Sequence, residues 1–396
     1  MDFKKDIMQL KEQHNDKISV LYAFKEKRKE KLRLCQIGLG PDEMLYGLNH
    51  LDHGRFQVDF IELNHDTWSW FKFFCYPIEY LMRIRLKIGF SLHLVLDNLK
   101  KIRQADIVIS TGDICGLPFG MLKCLGRVKT PMIYITHGLS DRMEKFPEKS
   151  VTRQFFTFFY GRFLRCTERI LVLGEGSAGP LIKIFALDSN RVSYLFFGVD
   201  TQFWTSGNES SAGSYILSVG SDPARDYETL LKTITDEHLK VVTRLPIPRE
   251  WLREHVEVSS DFTDIQLREL YQHARFVVIP LKNVAQPSGQ SATLQAMACG
   301  KTVILTRTRG LWDPKHMQHL DNCYLVEPGD IKDLKQAIQY LSDNPGEVER
   351  IGRNARRTVE ERYNSSSMAT ALERYIREIL SCPDTQIKGE RELHLQ

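Results

Sequence analysis

Short apolar segments that alternate with longer amphipathic stretches constrain this chain more than any other feature of its sequence. In the first half we predict strands at residues 32–37, 56–63, 106–110, 131–136 and 169–174, with helices between them. A second series of predicted strands follows at residues 215–219, 240–243, 276–280, 302–305 and 323–326. Strands that alternate with helices favour mostly parallel sheets covered by helices on both faces. The sequence therefore predicts an α/β protein with two doubly wound, Rossmann-like domains.

A polar segment rich in small residues separates the two series. Residues 205–213, Thr-Ser-Gly-Asn-Glu-Ser-Ser-Ala-Gly, have the composition of a linker. We therefore predict a first domain over residues 1–204, whose charge-rich residues 1–31 form a polar arm or helix, and a second domain over residues 214–364. Residues 365–380 are predicted to form a terminal helix, for which we consider packing against the first domain, and residues 381–396 a tail.

Composition excludes several classes of protein. The 54 basic and 50 acidic residues leave a net charge of +4, which is too small to indicate a nucleic-acid partner. The polar N-terminus does not resemble a signal peptide, and no uncharged apolar run is long enough to span a membrane. The eight cysteines include no C-x-x-C pair and are typical of reduced thiols. We expect a cytoplasmic protein, with peripheral contact at the inner membrane face left open.

Residues 286–305 carry the most specific local signal. They form a polar loop that contains Gly289, then a helix of small residues that ends at Gly300, then an apolar strand. The first turn of such a helix leaves backbone N–H groups unpaired and carries the positive end of the helix dipole. This arrangement suits a diphosphate, so the segment is a candidate nucleotide site.

The same segment resembles a known family. Residues 294–304, Leu-Gln-Ala-Met-Ala-Cys-Gly-Lys-Thr-Val-Ile, resemble the Leu-Glu-Ala-Met-Ala-x-Gly-x-Pro-Val-Ile signature of the family 4 glycosyltransferases. Further short resemblances, in the family's order, occur at residues 197–203, 217–220 and 328–330. The resemblance covers roughly residues 32–380 and implies the GT-B architecture, in which two Rossmann-like domains face an active-site cleft.

The resemblance also implies an activity. Family members are retaining, metal-independent enzymes that move a sugar from a nucleotide diphosphate-sugar to a hydroxyl acceptor, and the donor is a substrate rather than a cofactor. A glycan, a polysaccharide or a lipid-linked saccharide is the acceptor that we expect. Retention without an obvious nucleophile implies same-face attack through an oxocarbenium-like ion pair, with the leaving phosphate taking the proton of the acceptor.

Two residues depart from the family pattern. Gln295 occupies the place of the glutamate that bonds the donor ribose, and Pro287 that of the glutamate that contacts the donor sugar. Gln295 can still bond a hydroxyl group, whereas Pro287 cannot, so we expect sugar contacts from Gln286, Ser288 or Gln290. The predicted donor-binding residues of this segment are Gln286, Ser288, Gly289, Gln290, Ser291, Ala292, Thr293 and Gln295.

Two glycines follow the first predicted strand. Gly38 and Gly40 lack the third glycine of the dinucleotide fingerprint, because Glu43 occupies its position. This disfavours an NAD-dependent oxidoreductase. In GT-B enzymes a glycine-rich turn at this place lets the backbone approach the donor or acceptor, and we predict that role for both glycines, with an ordinary strand-end turn as the alternative.

His137 directly follows the predicted strand 131–136. A residue just beyond the carboxyl end of a strand faces the ligand crevice of a doubly wound sheet. Family members often have a histidine here that contacts the donor sugar or supports the reaction centre, so we predict a catalytic role for His137. Asp141 either orients it or caps the next helix.

Arg225 and Arg244 are the candidate phosphate-binding cations. The resemblance implies an Arg and a Lys after the first strand of the second domain, where they neutralise the leaving diphosphate. Ser221 occupies the Arg position, Arg225 lies near the Lys position, and Arg244 ends the next strand. Surface ion pairing is the alternative for each arginine.

Two further patterns bear on metals and membranes. The chain contains no Asp-x-Asp motif, so we predict no metal site. Residues 68–90 and 155–165 mix aromatic with basic side chains, which is typical of helices that lie on an anionic leaflet. Aromatic residues at helical spacing are more often core, and we predict core here, with membrane contact as the alternative.

Two other functions remain open. A GT-B epimerase or hydrolase would act on the same donor without an acceptor. A non-catalytic relative would keep the fold and scaffold a glycan-assembly complex, as the departures at Ser221, Pro287 and Gln295 allow.

Overall fold

The computed structural model describes residues 17–63, 69–86, 88–207 and 213–381. Predictions for residues 1–16, for Trp68, for part of the linker and for the tail therefore lie outside the described residues.

The first sheet contains six parallel strands in the order β2-β1-β3-β4-β5-β6. The strands are β1 (Ile18–Phe24), β2 (Phe56–Glu62), β3 (Ile107–Ser110), β4 (Met132–Thr136), β5 (Arg169–Val172) and β6 (Val192–Tyr194). Val20 of β1 pairs with Val58 on one side and with Ile107 on the other. A central strand of this kind is apolar on both faces, because helices cover both.

The position of β1 corrects two predictions. Residues 18–24 lie within the predicted polar arm, yet five of these seven residues are buried. Residues 32–37 were predicted as the first strand. Instead, residues 32–36 lie in a helix from Arg28 to Gln36, and Ile37 is the residue that follows this helix. The charged residues on either side of Ile18–Phe24 masked a short apolar run that the sheet buries.

The second sheet also contains six parallel strands, in the order β12-β11-β10-β7-β8-β9. The strands are β7 (Tyr215–Val219), β8 (Leu239–Val242), β9 (Val256–Ser259), β10 (Ala274–Ile279), β11 (Val303–Thr306) and β12 (Tyr324–Val326). Two parallel sheets with flanking helices confirm the predicted α/β architecture.

Helices connect the strands in both halves. In the first half they are α1 (Arg28–Gln36), α2 (Trp70–Leu86), α3 (Leu92–Asp97), α4 (Leu99–Gln104), α5 (Asp113–Cys124), α6 (Leu139–Glu144), α7 (Val151–Arg165) and α8 (Glu175–Phe185). In the second half they are α9 (Tyr227–Thr233), α10 (Asp264–His273), α11 (Gln290–Ala298), α12 (Ile331–Asp343), α13 (Pro345–Arg362) and α14 (Ser365–Ser381).

One apolar cluster joins the two halves. It extends from β1 and β3 through Phe197 and Trp204 to β7, β10 and α11. The last helix, α14, returns to the first half, where the Tyr375 hydroxyl donates to the Tyr194 carbonyl at 2.8 Å and Glu373 accepts from the Asp52 amide at 2.8 Å. These contacts attach α14 to the first half of the chain. The candidate site lies between the two halves.

The aromatic helix α2 contradicts the core prediction. Most of its large apolar side chains are exposed, and Cys75 is its buried apolar contact with the core beneath. In α7, by contrast, Phe156, Tyr160 and Phe163 are buried while Phe155 and Phe158 are exposed. No helix in the described ranges is both long and apolar enough to cross a membrane.

Candidate functional site

Helix α11 begins as the sequence predicts. Gly289 precedes it with φ 76°, a left-handed conformation that favours glycine, and no side chain caps the helix. The first internal bond of the helix is accepted by the Gly289 carbonyl from the Thr293 amide. The amides of the first turn are therefore left for another acceptor, as an anion site requires.

Arg225 lies between this helix start and the end of β7. A Cβ atom built on Gly220 would lie 2.0 Å from Arg225 Nε, and one built on Gly289 would lie 2.7 Å from Arg225 Nη1. The guanidinium therefore packs directly against two glycine backbones. A β-bridge between Arg225 and Leu281, just beyond β10, fixes the backbone from which the side chain extends.

The guanidinium of Arg225 is buried, with the Asp222 carboxylate as its nearby opposite charge. The residue is 5% exposed, and its Nε and Nη1 atoms have no hydrogen-bond partner in the part of the chain that the structure describes. Burial lowers the pKa of Arg225, although an arginine stays charged at neutral pH. A buried cation with unbonded N–H groups is costly, which makes this place a candidate site for an anion.

The loop before α11 is held by hydrogen bonds to the second sheet. The Ser288 hydroxyl donates to Asp222 at 3.0 Å, and Asp222 in turn accepts from the Ala224 amide at 2.7 Å. One helical turn further on, the buried hydroxyl of Thr293 has no partner among the described residues. Ser291 is partly exposed, and Ala292 is buried.

Gln295, predicted to bond a donor hydroxyl, has partners within the protein. Its Nε2 donates to Glu43 at 2.9 Å, and its Oε1 accepts from the Tyr271 hydroxyl at 3.4 Å. Glu43 also accepts from Trp204 Nε1 at 3.0 Å. The family's ribose-binding position thus contributes a hydrogen bond between the two halves of the chain.

Glu43 is a functional candidate that the sequence analysis missed. In the sequence, Glu43 was noted only because it occupies the position of the third glycine of the dinucleotide fingerprint. No local sequence pattern indicates that it contacts Gln295. Glu43 is 1% exposed, and burial raises its pKa to about 7, against the opposing effect of the hydrogen bonds from Gln295 and Trp204. Its charge therefore changes within the physiological range.

His137 lies on the opposite side of the same loop. A Cβ atom on Gly138, which has φ 76°, would lie 2.0 Å from Gln286 Oε1, so Gln286 contacts the backbone just after His137. The Nε2 atom of His137 is 3.3 Å from the Tyr46 hydroxyl. The loop 286–289 thus runs from the His137 turn to Arg225, which brings these predicted site residues to one edge.

The His137 ring is held in a neutral form by its surroundings. Burial lowers its pKa, although the nearby Asp113 carboxylate opposes this effect. A neutral imidazole both donates and accepts a hydrogen bond, which suits contact with a hydroxyl group of a sugar. Asp141 does not orient His137, because it accepts from the Ala285 amide at 2.9 Å instead.

Several hydrogen bonds close the edge of the site between the two halves. Ser177 Oγ donates to the Ala285 carbonyl at 2.8 Å, and Gln290 Nε2 donates to the Leu173 carbonyl at 3.1 Å. Arg309 pairs with Glu144 at 2.6 Å. Gln290 is therefore engaged with the first half of the chain, whereas sequence reasoning assigned it to the donor sugar.

Arg244 has a different environment from Arg225. Its guanidinium pairs with Asp261 at 3.0 Å, and both side chains are largely exposed. Its backbone amide donates to Ser221 Oγ at 2.8 Å, so the residue at the family's Arg position holds the turn after β8. The structure matches the surface ion pair that was the alternative for Arg244.

The two glycines near the N-terminus do not lie in the predicted turn. Gly38 and Gly40 follow helix α1 rather than a strand, and a Cβ atom on Gly38 would contact nothing within 4 Å. Gly40 lies against Leu34 and Asp264. The premise of a glycine-rich strand-end turn was therefore wrong, because the first strand ends at Phe24.

One cluster near Glu43 has potential metal ligands. Cys35, Asp42 and Asp200 each place one ligand atom within 4.8 Å of the others. Asp42 is already bonded by His50 Nε2 at 2.5 Å and by Ser365 Oγ at 2.5 Å. These bonds account for the buried carboxylate without a cation.

Comparison with known proteins agrees with the resemblance. Residues 224–344 match the family described as glycosyl transferases group 1. MMP alpha-(1->4)-mannosyltransferase of Mycolicibacterium hassiacum is 25% identical over 259 residues, which span 59% of this chain and 61% of that protein. The match therefore covers less than two thirds of the relative's length.

Solved structures share the architecture over almost the whole chain. Anabaena HepE, crystallised in complex with UDP and glucose, has a TM-score of 0.65 at 13% identity and covers 91% of this chain and 100% of its own. Sucrose-phosphate synthase from Thermosynechococcus elongatus has a TM-score of 0.66 at 14% identity, covering 92% and 100%. At these identities the likeness shows the fold alone. The family match and the named relative make the chain similar to the group 1 glycosyltransferases, and the solved structures show that it has the GT-B architecture.

Proposed function

We propose that this protein is a retaining glycosyltransferase that needs no metal ion and moves a sugar from a nucleotide diphosphate-sugar to a hydroxyl acceptor. The observation that carries the proposal is Arg225. Its guanidinium is buried between Gly220 and Gly289, beside an uncapped helix start, and two of its nitrogen atoms have no partner among the described residues. A diphosphate is the ligand that satisfies both the cation and the helix amides.

The proposed mechanism follows from this placement. Negative charge develops on the leaving diphosphate when the bond to the sugar breaks, and a preorganised cation with backbone N–H donors stabilises that charge. Arg225 and the first turn of α11 supply both. In retaining transfer without a protein nucleophile, the same phosphate takes the proton of the attacking hydroxyl. His137, neutral and beside Gln286, supplies hydrogen bonds to the sugar.

The similar proteins support a nucleotide-sugar donor. HepE binds UDP and UDP-glucose, and the mycobacterial relative is named as a mannosyltransferase. We propose a glycan, a polysaccharide or a lipid-linked saccharide as the acceptor.

The proposal is tested by incubating the protein with nucleotide diphosphate-sugars and hydroxyl acceptors, with EDTA or with magnesium. We expect one donor to be consumed at the same rate in both conditions, and the new glycosidic bond to have the anomeric configuration of the donor. Loss of activity in EDTA would refute metal independence, and an inverted product would refute retention. Free sugar formed without an acceptor would indicate the epimerase or hydrolase alternative.

One observation favours a second candidate, a non-catalytic scaffold. Gln295 bonds to Glu43 and Tyr271, so the position that contacts ribose in the family is engaged within the protein. A scaffold keeps such bonds because they hold the two halves together. Failure of every nucleoside diphosphate to bind would favour this candidate, whereas donor binding with turnover would exclude it.

A further inference from the structure

Helix α2 presents an exposed apolar face that the core does not use. Trp70, Phe73 and Phe74 are 66%, 74% and 68% exposed, and Tyr76, Leu81 and Ile84 are each more than half exposed. Soluble proteins seldom expose contiguous apolar surface of this extent, and where they do it marks a docking site. With 17 residues the helix is about 25 Å long. It is thus long enough to lie along a surface.

A second helix has an exposed apolar stripe of its own. The Tyr160 hydroxyl of α7 contacts Met82 Sδ of α2 at 3.6 Å, so the two helices touch at this point. On α7, Val151, Phe155 and Phe158 are exposed at the spacing of one helical stripe. Cys75 of α2 and Phe156, Tyr160 and Phe163 of α7 pack into the core, on other sides of the helices from the exposed rings.

The charges of these helices favour an anionic partner. Arg83 is exposed beside the ring of Tyr80, with 5.8 Å between its Cζ atom and the ring centroid, and the sequence continues with Arg85 and Lys87. The acidic residue of α2 is Glu79, whose side chain is 14% exposed and bonds to His93 at 2.8 Å. Helix α7 contains arginines and no acidic residue. Aromatic rings flanked by cations are the pattern of helices in the interface of an anionic bilayer.

We propose that the exposed face of α2 docks on a lipid bilayer with anionic headgroups. The rings enter the boundary between headgroups and acyl chains, and the arginines contact lipid phosphates. The proposal does not depend on the donor site, because neither helix contributes a residue to it.

The test is flotation of the full chain with vesicles of phosphatidylcholine alone, or containing about one third phosphatidylglycerol. We expect binding to the anionic vesicles, weakened by salt. The double variant Phe73→Ser/Phe74→Ser should bind about tenfold more weakly per ring removed. Arg83→Glu should reduce binding about fivefold or more. Ile331→Ser, at an exposed apolar position on α12, is the matched control and should bind like the wild type.

Circular dichroism shows whether each variant folds. If the double variant does not fold, vesicle binding by Arg83→Glu tests the proposal. No binding of the wild type to either vesicle would overturn the proposal. Equal binding to both vesicle compositions would refute the proposal that the partner bilayer has anionic headgroups. A wild-type dimer that the double variant dissolves, without vesicle binding, would assign the face to a second copy of the chain.

Discussion

Replacement of Glu43 by Gln perturbs the buried contact between the two halves of the chain. The Glu43 carboxylate accepts from Gln295 Nε2 at 2.9 Å and from Trp204 Nε1 at 3.0 Å, both through one oxygen. A glutamine keeps an oxygen for these donors and removes the charge. Glu43→Gln therefore removes the charge and keeps these two hydrogen bonds, and it gives up only the long bond from the Asp200 amide to the second oxygen at 3.4 Å.

The magnitude follows from the pKa of Glu43. Burial raises this pKa from 4.5 to about 7. The difference corresponds to about 3 kcal/mol of stability. This stability is fully present below pH 4.5, where the folded and unfolded chains are both protonated, and is lost as the pH rises through 7. Above pH 7 the ionised carboxylate therefore makes the folded state less stable than that of the neutral variant.

The assay compares the melting temperatures of wild type and Glu43→Gln between pH 4.5 and 8. For a chain of 396 residues, 3 kcal/mol corresponds to about 4 °C. We expect the variant to melt about 4 °C higher at pH 8 and equally near pH 4.5. Glu349→Gln, at an exposed ion pair with Arg353, is the control and should show no such trend. A difference that is independent of pH, or a variant that is less stable at pH 8, would refute the reasoning.

Three further substitutions test other contacts. Gly220→Ala places a Cβ atom 2.0 Å from Arg225 Nε and should weaken nucleoside diphosphate binding at least about tenfold by calorimetry. Gly126→Ala, also at positive φ but with nothing within 4 Å, is its control, and equal loss in both would contradict the account. Ser177→Ala removes the bond to the Ala285 carbonyl and should cost about 1 kcal/mol, measured as a lower melting temperature. Arg244→Ala should leave the melting temperature unchanged, because its pair with Asp261 is exposed, and a clear decrease would assign it a structural role.

The fold was predictable wherever burial produced an apolar run. The strands near residues 131–136 and 302–305 were predicted because the sheets bury them on both faces. The edge strand near residues 56–63 was predicted although only two of the seven residues of Phe56–Glu62 are buried, since apolar residues alternate with polar ones along it. The edge strands Val192–Tyr194 and Val256–Ser259 were missed, since they are short and partly exposed and leave no such run. The strand Ile18–Phe24 was missed because charged residues surround it.

The candidate site was predictable where its chemistry is local in sequence. The loop 286–293 and Arg225 were predicted from a helix start and a cation after a strand, which are local features, and the structure brings the two together. The pairing of Glu43 with Gln295 joins residues 252 positions apart, and no sequence period or motif encodes such a contact.

The exposed face of α2 was also not predicted, for a different reason from the missed strands and the missed Glu43–Gln295 contact. Aromatic residues at helical spacing indicate a helix, but they do not show whether another element covers it. In the structure only one side of α2 meets the core, through Cys75 and Met82. Whether the aromatic residues of α2 are buried or exposed depends on tertiary packing rather than on the local sequence pattern.

The binding of nucleoside diphosphates by wild type and Arg225→Met tests the central claim most directly. Melting temperatures would be measured with the diphosphates UDP, GDP, ADP and dTDP and with the monophosphate CMP, with and without magnesium. A ligand at one hundred times its dissociation constant adds about 2.7 kcal/mol, or about 3 °C for a chain of this size.

We expect one diphosphate to stabilise the wild type regardless of magnesium. In Arg225→Met that stabilisation should disappear, while the ligand-free protein melts at the same or a higher temperature, because an unpaired buried charge has been removed. A variant that keeps the diphosphate response, or that melts several degrees lower without ligand, would contradict the assignment of Arg225 to the donor diphosphate.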